Sequence, residues 1–245
     1  MTSMIQLKKH FNLFYLFSFL ISFIGGFIEL YSLKTRGIFC AMQTGNLLNI
    51  FMDLIDGKGL LALKSFIVLL AFIIGCALGQ VLRVHLKDKE RVYEPIVLAL
   101  QIIVLVPVLF IPVDDEALAS GKEITTYQIL GDCFLALFGA FHFLTFNTVN
   151  GKSYTPTMMT NMMKTVSVYT VNAIKEKDLD KFISACCYLL LVFAFVLGAV
   201  SFYLIYSFIN VDDLGLLLQY LPASIMILEA MMIPFAIYLF KPKKS

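Results

Sequence analysis

Polar residues recur at helical spacing inside two otherwise apolar stretches of this chain, and they are the first places to look for chemistry. Asn46, Asn49, Asp53 and Asp56 return at intervals of three and four. That spacing lines one face of a helix whose other faces carry Leu47, Leu48, Ile50, Phe51, Leu54 and Ile55. Thr157, Thr160, Asn161, Lys164 and Ser167 repeat the pattern beside Met158, Met159, Met162, Met163 and Val166. A narrow polar stripe on an apolar helix suits the wall of a water-filled path through a membrane. It equally suits a helix lying flat among lipid headgroups. Before the first stripe, Gln43-Thr44-Gly45-Asn46 reads as a helix start. Thr44 can cap the first turn, Gly45 admits a close neighbour, and the free N–H groups there can hold an anion or a carboxylate.

Four ionisable residues stand within long apolar runs, where each is costly and so a functional candidate. Glu29 and Asp132 lie near one end of their runs, and Asp132 is expected to reach interfacial water. His142 and Glu229 share a depth of roughly 22 Å along a helix rising 1.5 Å per residue. As a pair they would suit proton coupling, since imidazole titrates near neutrality. The plainer role is a buried pair that fixes packing. Gln101 is expected to hydrogen-bond between helices.

Other chemistries lack their residues. Gly151-Lys152-Ser153 imitates the end of a phosphate-binding loop, but Phe146 stands where the first glycine belongs. Gly131-Asp132 echoes an intramembrane aspartyl protease, with Ile129 in place of the earlier member. G-x-S-x-G and H-E-x-x-H are absent, and the chain is expected not to be an enzyme. The five cysteines (Cys40, Cys76, Cys133, Cys186, Cys187) read as small apolar fillers. No Cys/His spacing suggests a metal, and no cofactor is expected. A net charge of +2 is too small to imply nucleic acid.

The elements that must position these residues are membrane spans. With 60% hydrophobic and 15% charged residues among 245, and a mean hydropathy of +0.86, the chain lies far from a soluble composition. Apolar runs at about 11 to 33, 60 to 82, 93 to 113, 127 to 149, 182 to 208 and 214 to 240 approach or exceed the length needed to cross hydrocarbon. The first begins behind Lys8 and Lys9, is too long for a signal peptide and reads as a retained span. Stretches 44–56 and 157–173 are shorter and are expected to be re-entrant or interfacial. If they do not cross, 14 of the 19 Lys and Arg residues fall on one side. Basic residues favour the cytoplasmic side, so both termini are expected there.

The two halves repeat at a spacing of about 115 residues. Gly25-Gly26-Phe27 and the segment Arg36 to Leu47 answer Gly139-Ala140-Phe141 and Lys152 to Met163, with Met42 against Met158 and Thr44 against Thr160. A late glycine follows in each half, Gly79 and Gly198. Gly75 and Gly79 form a GxxxG, a spacing for helix contact within the chain or between chains of a homo-oligomer. Three spans per half invert one half relative to the other, a recurrent plan of secondary transporters.

The stretch GGFIELYSLKTRGIFCAMQTGNLL resembles the YoaK family of uncharacterised bacterial multi-pass membrane proteins. The glycine pair, Glu29 where that family more often has Asp, and the Met-x-Thr-Gly-Asn turn at Met42 to Asn46 carry the resemblance. The second half departs, with Thr160-Asn161-Met162 in place of a second Thr-Gly-Asn and Phe141-His142 in place of a Gln-Asn pair. The resemblance implies a helical inner-membrane protein.

The expectation is therefore an all-α membrane protein, a single domain over 1–245. Six transmembrane helices would form two inverted three-helix repeats, about 11–113 and 127–240, each with a short re-entrant or interfacial helix. Its partners would be the lipid bilayer and a small polar or anionic solute, moved across the bacterial cytoplasmic membrane. Glu29, Gln43, Thr44, Gly45, Asn46, Asn49 and Asp53 would line the path from one half. Thr157, Thr160, Asn161 and Lys164 would line it from the other. The alternative is a non-transporting sensor or scaffold with both stripes at the membrane surface.

Overall fold

A computed structural model of the chain describes residues 13–86, 90–113, 125–149, 152–208 and 214–240. Lys8, Lys9, Lys87, Lys89, Lys122, Lys241, Lys243 and Lys244, all used to orient the spans, lie outside the described residues, as do the acidic positions 114–116 and 212–213. The elements are α1 (Leu13–Arg36), α2 (Gln43–Ile55), α3 (Gly59–His85), α4 (Glu90–Leu105), a 3-10 turn (Pro107–Phe110), α5 (Thr126–Thr145), β1 (Thr148–Val149), β2 (Lys152–Ser153), α6 (Met159–Glu176), α7 (Leu179–Phe208) and α8 (Leu214–Leu239). Among the described residues, six helices are long and apolar enough to cross a membrane: α1, α3, α4 with its 3-10 extension, α5, α7 and α8. The protein is a multi-pass helical membrane protein.

Burial runs opposite to a soluble fold. Along α3, Leu63, Phe66, Leu70, Ile73, Ile74, Leu78 and Val81 are exposed, an apolar stripe at helical spacing that only lipid can solvate. The interior holds Ser22, Glu29, Ser32, Gln101, Asp132, His142 and Glu229 among Ile21, Ile24, Leu98, Leu135 and Phe138. In hydrocarbon every such group must find its partner inside the protein.

The six long helices alternate in direction. α1 runs parallel to α7, from the cluster of Tyr15, Cys187 and Tyr188 at one end to the Tyr31–Phe202 ring pair toward the other. α3 runs parallel to α5, from the Lys64–Asp132 pair to Gly79 beneath Phe141 and Leu144. α4 and α8 run antiparallel, joined at one end by Gln219 donating to the Leu109 carbonyl. Phe240, just past α8, touches Phe14 and Phe17, so the first and last described helices meet at one face.

Small residues set the closest approaches. A Cβ on Gly26 would collide with the Phe195 carbonyl of α7, and one on Gly198 with the Phe23 carbonyl of α1. The expected GxxxG contact lies within the chain, since Gly75 faces Ala140 and Leu137 of α5. Two boundaries differ from expectation. Pro107 has no N–H to continue the α ladder, so the third span ends in 3-10 geometry. The fourth stops at Thr145, after which the chain forms a two-residue antiparallel ribbon, β1–β2.

Candidate functional site at two interior turns

After α1 the chain reverses at Gly37, whose φ of 63° suits glycine. The Gly37 and Ile38 N–H groups close back on the Leu33 and Ser32 carbonyls. The next five residues run back beside α1. They reach Glu29, seven residues and so about 10 Å before the helix end. The Glu29 carboxylate receives the Ala41 N–H at 3.0 Å, the Met42 N–H at 3.1 Å and the Cys40 thiol at 2.9 Å. α2 starts at the next residue. The helix start does hold a carboxylate, and it is the protein's own.

Thr44, read as the cap, is exposed and makes no cap. Met42 occupies that position without a side-chain bond. The turn is clasped by two amides instead. Asn46 Oδ1 accepts the Phe39 N–H at 2.9 Å, and its Nδ2 donates to the Phe39 carbonyl at 2.7 Å and to Gln43 Oε1 at 2.8 Å. Gln43 Nε2 donates to the Phe39 and Cys40 carbonyls. Gly45 is required because the Phe39 ring lies where a Cβ would stand. Cys40, read as an apolar filler, is a thiol donor to Glu29. Burial first, and that carboxylate second, push its pKa well above the ordinary thiol value.

The second turn enters differently. Beyond β2, the Tyr154 phenol reaches across to α1, donating to the Ser18 carbonyl at 2.9 Å and hydrogen-bonding the Ser22 hydroxyl. Tyr188 of α7 holds the ribbon from the other side through the Ser153 carbonyl, at 3.1 Å. The chain then places Pro156 and Thr157 mid-bundle. A Cβ on Gly25 would stand 3.1 Å from the Pro156 carbonyl and 3.3 Å from Thr157 Cγ2. In reciprocal fashion, a Cβ on Gly139 would strike the Cys40 carbonyl. Each turn thus rests on a glycine of the other half.

His142 sits between them, fully buried, with Nε2 2.9 Å from the Ile21 carbonyl and Nδ1 3.1 Å from Gln101 Nε2. Gln101 Nε2 also faces the Phe138 carbonyl at 3.4 Å, which fixes the nitrogen of that amide on this side. It can only donate, so His142 Nδ1 accepts and Nε2–H donates to Ile21. Gln101 bridges helices as expected. Glu229 is also fully buried, yet its carboxyl oxygens have no hydrogen-bond partner. The structure does not pair it with His142, both of whose nitrogens are engaged elsewhere.

The stripes are divided by exposure. Asn46 and Gln43 are buried, Asn49 and Asp53 half-buried, and the outward face of α2 carries Leu47, Leu48, Phe51, Met52, Leu54 and Ile55. On α6, Thr160, Lys164 and Ser167 are exposed. Asn161 is half-buried and reaches Thr155. Thr157 is 1% exposed and its hydroxyl has no partner.

Asp132 does not reach interfacial water. It is fully buried, 3.3 Å from Lys64 Nζ and 3.8 Å from Arg36 Nη1. Lys64 lies inside α3 and donates to the Arg36 carbonyl. Sequence reasoning missed this cluster and Tyr154. For the cluster a signal existed, since opposite charges stand near the same ends of three spans. For Tyr154 none did, because its partners are a main-chain carbonyl and a serine of another helix.

Among the described residues no group of three or more His, Cys, Asp or Glu side chains could hold a metal ion. On the opposite face, Gln80, Arg83, Val84, Leu86, Tyr93, Glu94 and Phe240 line a cavity of about 620 Å³. Tyr93 closes its floor with a 3.1 Å bond to Thr145. No curated protein and no solved structure matches the chain. One family model, described as a protein of unknown function (DUF1275), matches residues 17–232, and the chain belongs to that family.

Proposed function

We propose that the protein is a small secondary transporter or permease for a small polar or anionic solute, built from two inverted repeats whose interior turns meet at the site. The reciprocal seating of the Cys40 carbonyl on Gly139 and of Pro156 on Gly25 carries the reading. Three further correspondences support it. Exchanging α1 with α5, α2 with α6, α3 with α7 and α4 with α8 turns the α1–α7 packing into α5–α3, α2–α3 into α6–α7, and α1–α8 into α5–α4, all of which occur. The turns after α2 and α6 both use a left-handed residue, Gly57 at φ 73° and Lys177 at φ 53°. In each turn the next N–H closes on the carbonyl five residues back, Lys58 on Asp53 and Asp178 on Ala173.

Paired broken segments meeting mid-bundle are where inverted-repeat transporters bind their cargo. On this reading Asn49, Asp53, Thr157 and Asn161 line the path. Glu29, Gln43, Gly45 and Asn46 shape the first turn, and Glu229 is the residue available for proton coupling. Both termini are cytoplasmic in a bacterial inner membrane. The exposed Thr160, Lys164 and Ser167 favour a second reading for α6, contact with headgroups or a partner protein.

Cysteine labelling separates the two. In a cysteine-free background in vesicles, Asn49→Cys reacts with an impermeant maleimide from outside and Asn161→Cys from inside. A transported solute shifts the two rates in opposite directions, and uptake exceeds that of empty vesicles. Rates equal to those at exposed Thr44 and Lys164, unmoved by any solute tested and without uptake, leave the surface reading standing.

A further inference from the structure

The interior cluster at the Arg36 end carries more positive charge than it can balance. Arg36, Lys64 and Asp132 are 3%, 4% and 0% exposed, so two cations share one carboxylate away from water. The α1 C-terminus offsets part of the excess, because Lys64 donates to the Arg36 carbonyl and a helix end carries about half a negative charge. Glu29 does not offset the rest. It lies two turns deeper with both oxygens on its own turn. Donors are also left over, as are both Asp132 oxygens, which meet the two cations only as ion pairs. Arg36 Nη2 donates to the Ile111 carbonyl at 3.0 Å, but Arg36 Nε is buried with no acceptor. The Tyr31 hydroxyl is fully buried beside Arg36 and Thr35, with no partner at full hydrogen-bond geometry, and it interacts electrostatically with Arg36 and Asp132.

An uncompensated charge and unfilled donors at this depth are both costly, and one species removes both costs. We infer that Arg36 Nε, the Tyr31 hydroxyl and Lys64 bind a small monovalent anion, a halide or a short monocarboxylate, at the Arg36 end of α1, α3 and α5. One negative charge neutralises the cluster, whereas a divalent anion would reverse its sign. The guanidinium packs against Gly131 of α5, where a Cβ would stand 2.6 Å from Arg36 Nη1. Asp132 sets the affinity from the opposite direction, by competing for the same two cations. The site stands whether or not the protein transports a solute.

The test is thermal unfolding of the purified full chain in detergent and a chloride-free buffer. Chloride, bromide, formate and acetate are titrated against sulfate at matched ionic strength. A saturable rise with monovalent anions is expected, reaching about 5–10 °C at a hundredfold excess over half-saturation. Halides and carboxylates acting at the same concentrations identify a site for either source; one class acting alone names the ligand. Lys64→Met makes the cluster neutral and abolishes the response, while Asp132→Asn tightens half-saturation about tenfold. A purely structural ion cluster gives no gain in Asp132→Asn, and that result overturns the assignment, as does a wild-type rise no larger than with sulfate. Should Lys64→Met fail to fold, the Asp132→Asn shift decides alone.

Discussion

Glu29 takes the place that a bound anion would otherwise take, its two oxygens accepting the Ala41 and Met42 N–H groups and the Cys40 thiol where α2 begins. The consequence is a lock. Glu29→Gln turns one acceptor into a donor facing a buried N–H, which costs about 1–3 kcal/mol. It also frees the turn. Cys40 reports this directly, because alkylation needs the thiolate and its thiol is buried and shifted upward. In a variant retaining Cys40 alone, maleimide labelling should be far slower than at the exposed Cys186 and should accelerate at least tenfold with Glu29→Gln. Equal rates at Cys40 and Cys186 in the unaltered turn would exclude the lock. The sequence showed that Glu29 was expensive and that a helix start lay nearby. It did not show that one satisfies the other, since the two are joined only by a reversal at Gly37. Thr44 misled for a related reason: the cap position passed to Met42 once the carboxylate had supplied the acceptor.

At the scale of elements, the two short helices answer the same need by different means. α2 is fixed by the Gln43 and Asn46 amides acting on the Phe39–Cys40 backbone, and α6 by Tyr154 reaching Ser18 and Ser22 of α1. Asn46→Ala leaves the Phe39 N–H without its partner and its carbonyl with Gln43 alone, and Tyr154→Phe removes two hydrogen bonds, each change costing about 1–3 kcal/mol. The clasps share no residue, so their effects should stay local. Hydrogen exchange should rise across 38–46 only in Asn46→Ala and across 154–161 only in Tyr154→Phe. A rise across both segments in either variant would mean that the turns open as one unit. The long helices were legible because hydropathy reports lipid exposure and not core burial, which is why the Leu63 to Val81 stripe announced α3 so clearly. The polar stripe of α6 was not. Its spacing is the same whether Thr160, Lys164 and Ser167 face a path or the surroundings, and only the packing of α6 on α7 turned them outward.

At the scale of the whole molecule, direction is the property that the two halves do not share. α1 and α7 run one way and α3 and α5 the other, so the turn after α2 and its counterpart after α6 lie at opposite faces although both have the same local geometry. Composition alone cannot reveal this. The proposed repeat matches Gly25 with Gly139, and in the structure each of these glycines meets the turn that lies in the other half of the chain. For the proposed orientation the guide is charge. The described basic residues of the α3 and α6 C-terminal turns, Arg83, Lys175 and Lys177, lie at the Leu13 end, the expected cytoplasmic side. On the proposed arrangement the two turns would face different compartments. In cysteine-free protein within intact cells, Asp56→Cys, beside Gly57, should be labelled by an impermeant reagent without lysis. Glu176→Cys, beside Lys177, should be labelled only after lysis. A fluorescent-protein fusion placed after residue 240 should fold in the cytoplasm. Labelling of both turns from one side would break the inverted arrangement and the proposed transport reading with it. Reversal of both, with the halves still opposite, would preserve the repeat and transfer the Arg36–Lys64–Asp132 cluster to the cytoplasmic face.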